Sequence, residues 1–281
     1  MQILNKIQLD EFIKDALMED INYYDITTDN LIDEADISSA RFICKEDGVL
    51  CGIEIARRVF EILDDEIEFT SFKSDSQRVC KGDVLATVGG KTRTLLKGER
   101  TALNIIQRLS GIASKTRRMS DILGESRARV VDTRKTTPNM RFLEKYAVKC
   151  GGGYNHRYNL SHSVMIKDNH IKACGGIKNA VEKIRSSIGH TEKIEVEVKD
   201  EKELVQAIES NVDIVMLDNM GPDKVKGCVA ICRKMDERVV IEVSGNIDEG
   251  NIGEYASTGV DVISVGALTH SFKSLDISMK L

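Results

Sequence analysis

Residues 131–170 read VDTRKTTPNMRFLEKYAVKCGGGYNHRYNLSHSVMIKDNH, and the rest of the chain is organised around them. The whole sequence carries 45 acidic and 40 basic side chains, yet this stretch holds seven Lys or Arg against three Asp or Glu, with three of the five histidines. Val130 and Val131 lead into Asp132-Thr133-Arg134-Lys135 as the end of a short buried strand. Thr137-Pro138 then reads as a helix cap with proline in the first turn. A helix is expected from Pro138 to about Cys150, with Met140, Leu143 and Ala147 on one face, stopped by Gly151 to Gly153. A second apolar run, Ser163 to Ile166, ends in Lys167-Asp168-Asn169-His170. Arg134, Lys135 and Lys167 therefore fall at or just past strand C-termini, with His156 and Arg157 in the loop between. Parallel α/β architectures bind ligands at that end of their strands. Cations gathered there predict a small polyanion as ligand, whereas an ordinary charge run pairs with neighbouring carboxylates on a surface.

Beyond Arg127 the pattern alternates strand and helix. Strands are expected at 129–133, 164–167, 194–198, 214–217, 239–243 and 262–265, with helices at about 176–187, 201–209, 222–235 and 248–257. Six or more parallel strands alternating with helices give an α/β barrel or an open relative of one, and eight βα units cannot be counted. Glu197 ends IEVEV, Asp218 ends VMLDN, Ser244 and Gly245 end IEVSG, and Gly266 ends ISVG. Two carboxylates on one rim suit Mg²⁺, which binds oxygen ligands while it stays partly hydrated and bridges phosphates. Ser244-Gly245-Asn246 and Gly266-Ala267 are turns that, leading into helices, can aim backbone N–H groups at a phosphate.

Upstream, residues 1 to about 20 read as a helix, with Ile7, Phe12, Ala16 and Leu17 at near-helical spacing. Asp20 to Thr28 reads as an acidic turn used for capping. From Ile37 to Val88 short strands alternate with Gly-rich turns, interrupted by a helix from Glu54 to about Leu63. Lys91 to about Leu123 is one long helix whose buried stripe is Leu103, Ile106, Leu109 and Ile112. The composition, 41% hydrophobic and 30% charged, is that of an ordinary soluble protein. No apolar run is long enough to span a bilayer, and the N-terminal stretch is an amphipathic helix, not a signal peptide, so a cytoplasmic location is expected. Net charge −5 argues against nucleic acid or an anionic membrane as a general partner. The seven scattered cysteines argue against a disulfide framework; Cys228 and Cys232, four apart on a helix, read as buried thiols rather than a metal pair.

DTRKTTPNMRFLEKYAVKCGGGYNHR followed by IKDNH resembles quinolinate phosphoribosyltransferase, the carboxylating nicotinate-nucleotide pyrophosphorylase. The resemblance runs over nearly the full length: Glu19-Asp20 and Asp25-Ile26-Thr27-Thr28, GERTALNIIQRLSGIAS, LDNM, EVSGNI and SVGALTHSFKSLDIS. It implies an N-terminal α/β sandwich domain over 1–110, an open seven-stranded α/β barrel over 111–269 carrying the catalytic residues, and a tail, 270–281, that packs with the first domain. It also implies transfer of phosphoribose from phosphoribosyl pyrophosphate to quinolinate with decarboxylation, giving nicotinate mononucleotide for NAD biosynthesis. Arg134, His156, Arg157 and Lys167 would bind quinolinate, joined by Arg100 from a neighbouring subunit of a homodimer that is sometimes assembled further. Lys135, Glu197, Asp218, Ser244, Gly245, Asn246 and Gly266 would bind phosphoribosyl pyrophosphate, with Lys135, Glu197 and Asp218 catalytic. Glu197 and Asp218 would hold Mg²⁺ directly or through water.

Two residues depart from the family pattern. His162 stands where aspartate is usual, either as a tolerated change or as one that loosens the hold on His156 or Arg157. Tyr24 stands where glycine is common. Two other readings stay open: Lys167 as a Schiff-base lysine of an aldolase-like barrel, and a family paralogue with a changed substrate, such as those associated with molybdenum transport.

Overall fold

The computed structural model describes residues 4–281. In chain order it forms α1 (Lys6–Asp20), α2 (Thr28–Leu31), β1 (Ile37–Cys44), β2 (Gly48–Val49), α3 (Ile53–Leu63), β3 (Glu68–Ser71), β4 (Arg78–Val79), β5 (Val84–Lys91) and α4 (Thr92–Leu123). There follow β6 (Arg129–Val131), α5 (Arg141–Cys150), β7 (Val164–Ile166), α6 (Asp168–Cys174), α7 (Ile177–Arg185), β8 (Ile194–Val198) and α8 (Glu201–Glu209). The chain closes with β9 (Ile214–Asp218), α9 (Pro222–Met235), β10 (Val240–Ser244), α10 (Ile252–Ala256), β11 (Val262–Ser264), α11 (Ala267–His270) and β12 (Ile277–Lys280). The first three residues of the expected N-terminal helix lie outside the described residues.

Two compact units emerge. One takes in the chain up to Arg117 with Pro138–Gly152 and Phe272–Leu281; the other comprises Arg118–Thr137 and Gly153–Ser271. The sequence reading placed the division at 110 and left α5 in the barrel half, whereas the structure groups α5 with the first unit.

The first unit is built on an antiparallel sheet in the order β12-β1-β5-β3. Apolar residues on one side of α3 explain its docking: Phe60 meets Phe42 of β1 at 6.1 Å between ring centroids and Phe69 of β3 at 6.4 Å. Phe42 and Phe60 are fully buried, so truncating Phe60 to alanine costs about 3–5 kcal/mol. The segment leading into β12 crosses α4 at Gly111, where an added Cβ would lie 2.3 Å from the Lys273 carbonyl oxygen. Asp25 caps the start of α2 by accepting the N–H groups of Thr27 and Thr28, which gives the acidic turn its capping role.

Helix α5 differs from its sequence reading in its start and in its burial. It starts at Arg141, not Pro138, because Asn139 adopts a left-handed backbone at φ 64° and the helical hydrogen bonds begin from the Met140 carbonyl. Nor does it bury one stripe: Phe142 through Val148 are all buried, Glu144 included, which Arg108 neutralises with an N–H donated at 2.5 Å. Gly151 and Gly152 end it as expected.

The second unit holds a six-stranded parallel sheet in the order β6-β11-β10-β9-β8-β7. Tyr154 adds one parallel bridge to Val131 at the β6 edge, and β6 and β7 are the two ends of this open strand order. Register fixes its mouth: Ser244 lies opposite both Asp218 and Ser264, and Glu197 opposite Met216. Successive strand residues face opposite sides, so Glu195 and Glu197 share one face of β8, and Glu242 and Ser244 one face of β10.

Candidate active site

A cavity of about 610 Å³ opens at the C-terminal ends of the barrel strands. Eleven of the twelve residues singled out from sequence line it: Arg134, Lys135, His156, Arg157, Lys167, Glu197, Asp218, Ser244, Gly245, Asn246 and Gly266. Arg100 does not; it is exposed on α4 in the first unit.

The rim is set by strand ends. Lys167 follows β7 and donates from Nζ to Glu197 Oε2 at 2.7 Å, so its ammonium already has a counter-ion. Asp218 closes β9 and accepts the Asn219 side-chain N–H at Oδ2, 2.8 Å away. Lys135 follows β6; its backbone carbonyl accepts the Thr269 hydroxyl at 2.8 Å, and its side chain passes close over Gly266, where a Cβ would lie 3.0 Å from the lysine Cδ.

The loop after β10 needs its glycine. Gly245 sits at φ 104°, and an added Cβ would come within 2.2 Å of Asn219 Oδ1. Asn246 follows at φ 52°, and its side chain donates to that same oxygen. The helix expected to follow this turn starts later, at Ile252, so an anion here would meet consecutive left-handed residues and their N–H groups rather than a helix end.

Beneath the rim the charge reverses. Glu195 and Glu242, both buried, each place an oxygen 3.3 Å from His156 Nε2. Burial lowers the affinity of His156 for its proton, but hydrogen bonding and charge from Glu195 and Glu242 outweigh it and push the imidazole up to about 10. His156 Nδ1, however, accepts the Arg157 backbone N–H at 2.6 Å, so a second proton on the ring displaces that contact. The proton at Nε2 is present in either charge state. The His156 backbone N–H donates to Asp132, which is fully buried. Arg157 donates from Nη1 to the Ser163 carbonyl, and burial, then the neighbouring Arg134, lower its pKa. Burial likewise raises Glu195.

Sequence reasoning missed the floor acids Glu195 and Glu242 and the cavity-lining His270, which sits on α11 four residues past Gly266. The departure at His162 is resolved in form: its Nδ1 accepts the Tyr158 N–H at 3.0 Å, a bond an aspartate oxygen also makes. Cys228 and Cys232 are buried thiols, Cys228 against Met220. No helix among the described residues is long and apolar enough to cross a membrane.

Family models agree with this architecture. Residues 25–110 match the quinolinate phosphoribosyl transferase N-terminal domain and residues 112–280 its C-terminal domain. The chain belongs to the quinolinate phosphoribosyltransferase family. It is 42% identical over 276 residues to the probable nicotinate-nucleotide pyrophosphorylase [carboxylating] of Bacillus subtilis, covering 98% of this chain and 94% of that one. The chloroplastic enzyme of that name from Arabidopsis thaliana is 38% identical over 285 residues, covering 96% and 81% of the two chains. The crystal structure of NadC from Streptococcus pyogenes superposes with a TM-score of 0.96 at 42% identity, covering 100% of this chain and 98% of that one.

Proposed function

We propose that the protein transfers phosphoribose from phosphoribosyl pyrophosphate to quinolinate and releases CO₂, giving nicotinate mononucleotide and diphosphate for NAD biosynthesis. The observation that carries this reading is one cavity lined by Arg134, Arg157 and Lys167 as well as by Glu197 and Asp218. A doubly negative acid is neutralised by guanidinium forks, which match carboxylates better than ammonium groups do. Arg134 and Arg157 take that role with Lys167, which exchanges Glu197 for a ligand carboxylate. The protein is a cytoplasmic homodimer in this reading, and the partner subunit's Arg100 completes the acceptor pocket.

The acceptor ring nitrogen attacks ribose C1 as the bond from C1 to diphosphate breaks and its electron pair leaves with diphosphate. The residues contribute alignment and charge: Lys135 faces the departing phosphates, while Ser244, Gly245, Asn246 and Gly266 hold the sugar phosphate. Glu197 and Asp218 offer hard carboxylate oxygens on adjacent strands beside these groups, a donor set that fits Mg²⁺. When bound, Mg²⁺ neutralises charge on the diphosphate. The bond from ring C2 to its carboxylate then breaks, CO₂ departs, and the pair left on C2 is stabilised by the quaternised nitrogen until a proton replaces the carboxylate. Lys167 paired with Glu197 is a poor Schiff-base nucleophile, since that role needs a neutral amine.

Incubation with carboxyl-labelled quinolinate, phosphoribosyl pyrophosphate and Mg²⁺ is expected to release labelled CO₂ and form nicotinate mononucleotide, with nicotinate inert as acceptor. Product from nicotinate, or none from quinolinate, contradicts the reading. Mixing inactive Arg100→Ala and Lys135→Ala proteins should restore part of the activity if sites are shared between subunits.

A further inference from the structure

Beneath the cavity, buried behind its lining residue His156, stand two acids that the transfer chemistry leaves unused. Barrel interiors are filled mainly with branched apolar side chains, and burying a carboxylate costs several kcal/mol unless it is well paired. Yet Glu195 and Glu242 have side chains only 2% and 5% exposed. They stand on β8 and β10, with β9 between them, and converge on one atom, His156 Nε2, at 3.3 Å each. Glu195 approaches through Oε2 and Glu242 through Oε1, and neither Nε2 nor the Oε1 of either acid makes a well-aligned hydrogen bond in this arrangement. Two acids kept at that cost serve something other than packing.

Three such groups within 4.8 Å of one another also describe a cation site. The other ring nitrogen argues against it. Nδ1 accepts the Arg157 N–H at 2.6 Å, which places the ring proton on Nε2, and a protonated nitrogen cannot ligate a metal. The Nε2–H instead points between two carboxylates. Nδ1 is engaged with the Arg157 backbone, whereas Nε2 lies 3.3 Å from an oxygen of each acid without a well-aligned hydrogen bond to either.

We propose that Glu195 and Glu242 are positioning residues for the acceptor: their charges hold the His156 ring from beneath and, through it, the adjoining Arg157, whose guanidinium faces the incoming dicarboxylate. The Asp132 carboxylate holding the His156 N–H and the Ser163 carbonyl holding Arg157 Nη1 supply the remaining anchors. This inference rests on the reading of the cavity as the quinolinate site. Glutamine at either position keeps size and one acceptor oxygen but removes the charge that orders the ring.

Glu195→Gln and Glu242→Gln are each expected to raise KM for quinolinate about tenfold while kcat and KM for phosphoribosyl pyrophosphate stay within about threefold. A merely structural role would lower the unfolding temperature without separating the two KM values. Nitrogen-15 spectra of the wild-type imidazoles should show His156 protonated at Nε2, with that proton slow to exchange, and faster exchange in the glutamine variants. Unchanged KM in folded, active variants overturns the proposal. So does a wild-type His156 unprotonated at Nε2, or a stoichiometric metal in purified wild type that Glu195→Gln loses. Variants that do not fold leave the wild-type spectrum to decide. A wild type without transferase activity sinks the functional reading, while its His156 spectrum still tests the clamp.

Discussion

Buried acids occur in both units, and they are treated differently. In the first, Asp75 is satisfied on every side: Oδ1 accepts the N–H groups of Gly52 and Ile53 at 2.9 and 3.0 Å, and Oδ2 accepts the Tyr146 hydroxyl at 2.6 Å. Burial and the Asp75 charge push the Tyr146 hydroxyl up, so it remains a donor. In the barrel, Glu195 Oε2 and Glu242 Oε1 face a single histidine nitrogen at 3.3 Å, and neither that nitrogen nor the Oε1 of either acid makes a well-aligned hydrogen bond. An acid with its full set of donors holds a fold together; acids left short of donors beneath a cationic mouth point to a role in the site above them.

The sharpest break in that comparison comes at the rim above the floor acids. Arg134→Ala and Lys167→Ala should each lower kcat/KM by about 10³-fold, because an acceptor carboxylate is left unpaired in a desolvated site, with little change in unfolding temperature. Steady-state kinetics with both substrates, beside thermal unfolding, checks this. Asp75→Ala should do the reverse. It orphans two backbone N–H groups and a hydroxyl, and it should destabilise the protein by about 3 kcal/mol in denaturant unfolding while KM for quinolinate holds.

The rim was legible in sequence because ligands gather at strand C-termini, and Arg134, Lys135 and Lys167 fell there once the apolar runs were placed. The floor was also written in the chain: Glu195 lies two residues before Glu197, and Glu242 two before Ser244, so each shares the face of a cavity residue. A lone glutamate in a strand ordinarily faces solvent, and only the closure of the sheet turns these inward. Helix α5 was misjudged at its start for a local reason, the left-handed Asn139, which the proline beside it disguised. Arg100 carries no signal of its own beyond the motif that surrounds it.

A smaller effect separates the charges by pH. His156 is raised in the folded state to about 10 from 6.5, so the stability it lends is complete below about 6.5 and is lost as pH rises through about 10. Because the Arg157 N–H competes for Nδ1, the slope should fall short of the single-proton limit of about 1.4 kcal/mol per pH unit. Unfolding measured from pH 6 to 10 in wild type and His156→Gln should show a shallower decline in the variant. Least of all should be His162→Asp, which keeps the acceptor for the Tyr158 N–H and should leave KM and kcat within about twofold. A larger change in KM would mean that the loop holding His156 and Arg157 depends on the imidazole itself.

A crystal structure with quinolinate bound tests the account most directly. The two carboxylates are expected at the barrel mouth in contact with Arg134, Arg157 and Lys167, with the Lys167 ammonium drawn from Glu197 and His156 still held from below by Glu195 and Glu242. Quinolinate seated elsewhere, or bound at the mouth with Lys167 still on Glu197 and no guanidinium contact, would contradict it.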